Sequence, residues 1–288
     1  MIIVGCSASQ KIAKEIAKKL KKPYYDLKVD SFPDGETHLR FTNNVKGKNV
    51  VLVQTLDNPN DKLIEVIFAA YTAKDLGAKK VTLVAPYMAY LRQDKRFHSG
   101  ECVSNKIIAK LFEVFDEIIT IDPHLHRIKS LGKLFHRKTI TLTANPLLSK
   151  YIKGKIKNAA VIGPDAESFQ WALNVAKSAG CKATVLKKKR YSSTTVRIKL
   201  HEPELVKGKN IVIVDDIIST GHTMMETIKE SKKSGAKSIY CLCVHGIYAD
   251  NSLPKLRKMG AKVIATNTIE GETSNINVAE LVSQALKK

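Results

Sequence analysis

Residues 46–53 read KGKNVVLV, and residues 207–214 read KGKNIVIV. Each segment is followed by a helix-length stretch closing on Gly-Ala-Lys, at residues 77–79 and again at 235–237. Each then runs into a second apolar stretch, KVTLVAPY at 80–87 and SIYCLCVHG at 238–246. Two matched blocks at nearly equal separation read as one unit written twice. The Val/Ile/Leu runs lack polar alternation, as parallel strands covered on both faces require. Gly77 and Gly235 stand where a helix C-cap glycine returns the chain to the sheet. Strand–helix alternation continues along the whole chain and predicts an α/β fold: two duplicated domains, each a mainly parallel sheet flanked by helices. The boundary is expected within 143–150, giving domains 1–145 and 146–288. The final helix, 278–287, is open to packing on either domain.

Composition sets the outer limits. The chain has 288 residues, 44% apolar and 26% charged, which excludes disordered and fibrous classes. Its apolar runs, such as 66–71 and 239–244, are far too short to span a membrane. The opening MIIVGCSASQ reads directly as a strand with no basic leader. The five cysteines are odd in number and scattered, so no disulfide framework is expected and a cytoplasmic location is. The net charge of +21 invites a nucleic-acid reading. However, many lysines sit in short helical or turn runs such as Lys18-Lys19 and Lys232-Lys233, and no zinc-finger spacing or RNA-binding aromatic signature is present. Anionic small-molecule substrates suit the charge as well.

The two copies differ where chemistry belongs, at the carboxyl ends of the strands. The second copy continues Asp215-Asp216-Ile217-Ile218-Ser219-Thr220-Gly221-His222-Thr223. Hydroxyls and a glycine opening a helix make a phosphate cradle. The adjacent carboxylates can accept hydrogen bonds from a vicinal diol, so the pattern describes a ribose phosphate. An N-cap after a strand needs only one such residue. The first copy has Gln54-Thr55-Leu56-Asp57-Asn58-Pro59-Asn60 at this place, without the acid pair or the glycine.

The segment VDDIISTGHT resembles the 5-phosphoribosyl diphosphate loop of type I phosphoribosyltransferase-like proteins. Phe32-Pro33-Asp34-Gly35-Glu36, residues 90–95 (YLRQDK), Asp122-Pro123-His124 and Lys188-Lys189-Arg190 follow in the order seen in the ribose-phosphate pyrophosphokinase family. The resemblance spans nearly the whole chain. It implies two phosphoribosyltransferase-like domains, the first degenerate, in an ATP-dependent enzyme that makes 5-phosphoribosyl 1-diphosphate and AMP from ribose 5-phosphate.

Each motif has its own chemistry. Residues 32–36 form a Pro-Asp-Gly turn whose aromatic face and carboxylates can hold an adenine. The resemblance places Phe32, Asp34, Gly35 and Glu36 in a neighbouring subunit's ATP site, which implies a homo-oligomer. Arg92, Gln93 and Asp94 lie past a strand end, where Arg suits bidentate phosphate contact. By resemblance they bind ATP. His124 follows the strand 117–121 and by resemblance contacts ATP and helps coordinate Mg²⁺. Because Mg²⁺ prefers oxygen, a water or phosphate contact also suits His124, and His126 is then only a neighbour. Asp165, in Gly163-Pro164-Asp165-Ala166-Glu167, matches an acid near metal and diphosphate, although Glu167-Ser168 stands where many relatives carry two glycines. Residues 187–190 (KKKR) end the strand 183–186 and enter a polar stretch able to close over substrates. By resemblance Lys188 and Arg190 stabilise the transition state, and Arg190 also reaches ribose 5-phosphate. Asp215 and Asp216 are assigned to the ribose diol, and Ser219, Thr220, Gly221, His222 and Thr223 to the 5-phosphate. His222 is itself a departure from many relatives. Cys241, Cys243 and His245 alternate along one strand, where small buried side chains explain them better than a metal. The alternatives are a phosphoribosyltransferase that consumes the diphosphate, and a non-catalytic regulatory homologue.

Overall fold

The computed structural model describes residues 1–125, 127, 128, 130–190 and 196–287, with backbone alone at 166, 167, 187–190 and 196–199. The chain divides into two compact units. The first is Met1–Thr143 with Thr268–Glu270 and Val278–Lys288, and the second is Ala144–Asn267 with Gly271–Asn277.

The first unit runs β1 (Ile2–Gly5), α1 (Gln10–Leu20), β2 (Tyr24–Asp26), β3 (Lys28–Ser31), β4 (Thr37–Arg40), β5 (Asn49–Val53), α2 (Pro59–Asp75), β6 (Lys80–Ala85), α3 (Ser104–Leu111), β7 (Glu117–Ile121) and β8 (Lys138–Leu142). The second unit runs α4 (Asn145–Lys155), β9 (Ala159–Gly163), α5 (Ala166–Ala179), β10 (Lys182–Arg190), β11 (Val196–Leu200), β12 (Asn210–Ile218), α6 (His222–Lys233), β13 (Ser238–Gly246), α7 (Ser252–Lys258), β14 (Ala261–Thr266) and β15 (Ser274–Ile276). A last helix, α8 (Ala279–Leu286), returns to the first unit. There it packs on α1, with a 2.8 Å ion pair between Lys19 and Glu280.

The two sheets share one strand order. The first is β2-β1-β5-β6-β7-β8, and the second is β10-β9-β12-β13-β14-β15 with β11 added antiparallel at its edge. All other neighbours in both sheets are parallel. The β3–β4 hairpin is the first unit's own addition. The central strands are buried almost throughout, which is why their sequences do not alternate. Helix α1 buries Ile12, Ala13, Ile16 and Ala17, the helical spacing of one apolar face. Among the described residues no helix is long and apolar enough to cross a membrane.

The repeated words themselves are a clasp. The Gly47 amide donates to the Gly77 carbonyl at 2.8 Å, and the Gly208 amide donates to the Gly235 carbonyl at 2.8 Å. Next to each, Lys79 N–H donates to Lys48 O at 2.9 Å, and Lys237 N–H donates to Lys209 O at 2.8 Å. The turn before the first strand is thus tied to the helix end before the second. This fixes β5 against β6 (Asn49 opposite Lys80) and β12 against β13 (Asn210 opposite Ser238). Gly77 and Gly235 close their helices with φ of +83° and +79°. The match between copies is therefore structural, and it lies at the end of each sheet away from the strands' carboxyl ends.

Cys241 and Cys243 belong to the apolar core of the second unit, and His245 is buried beyond them. This agrees with the reading of small buried side chains. All five cysteines are unpaired.

The clasp is open to a direct test. Gly235→Ala and Gly77→Ala each place a side chain in the left-handed region, at a cost of about 1–2 kcal/mol. A unit of this size should then lose about 2–8 °C of thermal midpoint in differential scanning calorimetry. Gly154→Ala, in a helix with open space beside it, should not lower the midpoint.

Candidate functional site

The second unit gathers its acids where two neighbouring strands end. Strand β12 runs to Ile218, four residues beyond the expected end at Val214, so Asp215 and Asp216 lie within its last part. The reason is continued pairing with β13, through Asp215 opposite Cys243 to Ile218 opposite Gly246. Adjacent β9 ends at Gly163, and Asp165 follows it. Burial pushes the Asp215 carboxyl well above its ordinary range, and the charges of Asp216 and Asp165 push it further. The three carboxylates therefore converge. Their mutual repulsion is relieved by a cation, by a proton, or by hydroxyl donors.

The two helices beside this cluster begin differently. Helix α5 is closed by a capping box. Asp165 Oδ1 accepts from the Ser168 amide at 2.9 Å and from Ser168 Oγ at 2.9 Å. Ser168 Oγ in turn accepts from the Asp165 amide at 3.2 Å. Asp165 is thus also a structural residue, and Ser168 explains the departure from a glycine-rich loop. The Asp-x-x-Ser spacing is a capping signature legible in the sequence, and the metal reading of Asp165 overlooked it. Helix α6 is open. Its N-cap is Gly221, and no side chain caps it. Its first-turn N–H groups, reached through Ser219, Thr220 and Gly221, have no intrahelical acceptor. His222 is exposed and Thr223 half-buried at the start of this turn. This is a helix N-terminus prepared for an anion, a few residues beyond an acid cluster.

The basic run lies on a ribbon rather than in a loop. Strand β10 continues through Lys187 to Arg190 and pairs with β11, Lys188 opposite Ile198 and Arg190 opposite Val196. The expected end at Leu186 is corrected by this antiparallel partner. The side chains of Lys188 and Arg190, and residues 191–195, lie outside the described residues, as does His126.

The first unit holds the remaining candidates. Residues 32–36 are the tip of the β3–β4 hairpin, closed by Phe32 N–H donating to Glu36 O and Gly35 N–H donating to Phe32 O, both at 2.8 Å. The Glu36 amide donates to Asp34 Oδ1 at 3.2 Å. The Phe32 ring is 51% exposed at the hairpin tip, with its centroid 5.4 Å from that of the His38 ring. Arg92 is exposed, while Gln93 donates to Glu101 at 3.0 Å. Asp94 is committed to a 2.7 Å ion pair with Arg127, its side chain only 3% exposed. Its Oδ2 is buried with no hydrogen-bond partner. Beyond β7, Asp122 takes a φ of +37° just ahead of Pro123 and His124, and its amide donates to Leu142 O at 2.9 Å. Among the described residues no three His, Cys, Asp or Glu side chains are placed to hold a metal.

At the strand ends of β1 and β5, the first unit's counterparts of β9 and β12, the space is filled from within. Glu65 of α2 is buried and accepts from the Ser7 amide at 2.8 Å, Ser7 Oγ at 2.5 Å and Gln54 Nε2 at 2.9 Å. Gln54 Oε1 accepts from the Ala8 amide at 3.0 Å. Burial raises the Glu65 carboxyl, and the Ser7 hydrogen bonds oppose it. The edge without the acid pair and glycine is thus closed by a polar cluster. Sequence reading missed Glu65, since a single acid inside a helix carries no signal of what it faces.

Residues 1–115 match the profile of the N-terminal domain of ribose phosphate pyrophosphokinase, and residues 131–282 match that of the phosphoribosyl transferase domain. The ribose-phosphate pyrophosphokinase of Methanothermobacter thermautotrophicus is 38% identical, over 99% of this chain and 100% of its own length. Ribose-phosphate pyrophosphokinase 2 of Archaeoglobus fulgidus is also 38% identical, over 99% of both chains. The crystal structure of phosphoribosylpyrophosphate synthetase from Mycobacterium smegmatis superimposes with a TM-score of 0.86 at 25% identity, covering 99% of this chain and 97% of that one. The doubled sheet, the uncapped helix behind paired carboxylates and these full-length likenesses agree: the chain belongs to the ribose-phosphate pyrophosphokinase family.

Proposed function

We propose that the chain transfers diphosphate from ATP to ribose 5-phosphate, giving 5-phosphoribosyl 1-diphosphate and AMP. One observation carries the reading at the site: α6 opens without a cap directly after Ser219, Thr220 and Gly221, behind the converging acids. The 5-phosphate sits on the N–H groups and hydroxyls of residues 219–223. The ribose diol donates to Asp215 and Asp216.

In the reaction the anomeric hydroxyl oxygen bonds to the β-phosphorus of ATP. The bond from that phosphorus to the α,β-bridging oxygen breaks, and AMP leaves with its electron pair. The hydroxyl proton passes to solvent. Charge builds on the phosphoryl oxygens, and Lys188 and Arg190 neutralise it. Arg92, Gln93 and His124 hold the ATP phosphates. Asp94 acts through Arg127, the partner it holds. Phe32, Asp34, Gly35 and Glu36 serve the adenine of a neighbouring subunit. The exposed stripe of Ile64, Phe68 and Tyr71 along α2 supports a homo-oligomer. Five unpaired thiols support a cytoplasmic setting, and the charge of +21 serves anionic substrates rather than nucleic acid.

The donor set fits Mg²⁺. Asp165 would hold it through oxygen, since Mg²⁺ needs only one or two carboxylates when phosphates and water complete its shell; the resemblance adds His124. Held there with ATP, the ion would supply charge neutralisation to the phosphates.

Two measurements check this reading. AMP should form from ATP and Mg²⁺ only when ribose 5-phosphate is present, and Lys188→Ala should lower the rate about a hundredfold or more. AMP formed without the sugar phosphate would contradict the reading. The acid cluster gives the second. A carboxyl whose folded pKa is raised contributes stability at low pH and loses it as pH rises through the folded value. Asp215→Asn should therefore raise the thermal midpoint of the ligand-free protein at pH 7.5. The gain should fade as pH falls towards 4, while ribose 5-phosphate turnover is largely lost. A lower midpoint at pH 7.5 would show that the cluster does not repel itself.

A further inference from the structure

The phosphate cradle is held from behind by a turn of unusual backbone. Between β13 and α7, Tyr248, Asp250 and Asn251 take φ of +54°, +55° and +56°. Three residues with side chains in the left-handed region within four positions persist only where the surroundings fix them. Here the fixing contacts are visible. The Tyr248 ring lies over Gly246, where a Cβ would meet ring atoms at 2.5–2.6 Å, and its hydroxyl is 2.9 Å from Thr273 Oγ1.

The turn delivers two sets of donors to the cradle. Ile247 N–H and Tyr248 N–H both donate to the Ile218 carbonyl at 3.0 Å. Ser252, fully buried at the start of α7, donates its hydroxyl to the Ser219 carbonyl at 2.7 Å. Gly221 lies against the same residue, since a Cβ there would sit 3.0 Å from Ser252 Cβ at a φ of +72°. In a planar trans peptide the carbonyl of one residue and the N–H of the next point in opposite directions. A Ser219 carbonyl bound to Ser252 therefore turns the Thr220 N–H away from the turn. The Ile218 carbonyl does the same for the Ser219 N–H.

We infer that Ser252 is a positioning residue for the phosphate cradle. It holds the Ser219 carbonyl inward so that the Thr220 N–H is presented to the 5-phosphate and no carbonyl oxygen faces that anion. The inference rests on the reading that residues 219–223 receive the sugar phosphate. Without the hydroxyl, the Ser219 carbonyl loses this donor and the peptide can rotate its oxygen towards the anion.

The test compares wild type, Ser252→Ala and Ser252→Cys, each checked for an unchanged far-ultraviolet circular dichroism spectrum. KM for ribose 5-phosphate should rise about tenfold in Ser252→Ala, the equivalent of about 1.4 kcal/mol. KM for ATP and kcat at saturation should stay within about twofold, and Ser252→Cys, a weak donor of similar size, should fall between. A purely structural role would move both KM values and kcat together, and that result overturns the inference, as does an unchanged KM for ribose 5-phosphate. Calorimetric binding of ribose 5-phosphate separates the two readings. If wild type binds the sugar phosphate but forms no AMP, the reaction is wrong, and a tenfold loss of binding in Ser252→Ala still supports the positioning role. Equal binding by both proteins refutes it.

Discussion

Everything at the functional end of each unit depends on a hydrogen bond at the other end. The Gly208 amide meeting the Gly235 carbonyl, and its twin from Gly47 to Gly77, set the register of the two central strands. Parallel strands in register finish on one edge of the sheet, so each loop that follows starts from a fixed height. In the second unit that edge carries Asp165 after β9 and the last residues of β12, with α6 opening just beyond. A slip of one residue between β12 and β13 would turn Asp215 to the other face.

Given the shared frame, the two units differ in how polar groups at that edge are satisfied. The first unit satisfies them internally, with Glu65 receiving three donors from Ser7 and Gln54. In the second, α6 opens uncapped and Asp215 is driven upward by burial and by the charges of Asp216 and Asp165. A ligand carrying a phosphate and hydroxyls meets both needs. The shared frame thus carries one edge closed by its own polar groups and one where the helix start is left uncapped.

The sequence made the frame legible because its clasp is written in the same letters twice and its strands are buried on both faces. Lys46-Gly47-Lys48 and Gly77-Ala78-Lys79 recur because backbone geometry demands glycines there, and that demand leaves a trace in composition. The open start of α6 was legible for a similar reason, as the glycine and hydroxyl residues after β12 mark where that helix begins. Glu65 was not legible, since its partners come from two distant strand ends. Nor was the further run of β10, which depends on β11 as an antiparallel partner. Ser252 also escaped notice, because a serine at a helix start reads as an ordinary cap. Only the fold turns its hydroxyl onto the Ser219 carbonyl.

The central claim is that the second unit's strand edge, and not the first's, receives the sugar phosphate. Hydrogen exchange read by mass spectrometry tests it most directly, with and without saturating ribose 5-phosphate. Slowed exchange across residues 219–224, with residues 54–60 unchanged, is the predicted result. Protection at 54–60, or none at 219–224 while ribose 5-phosphate is bound, would contradict the account.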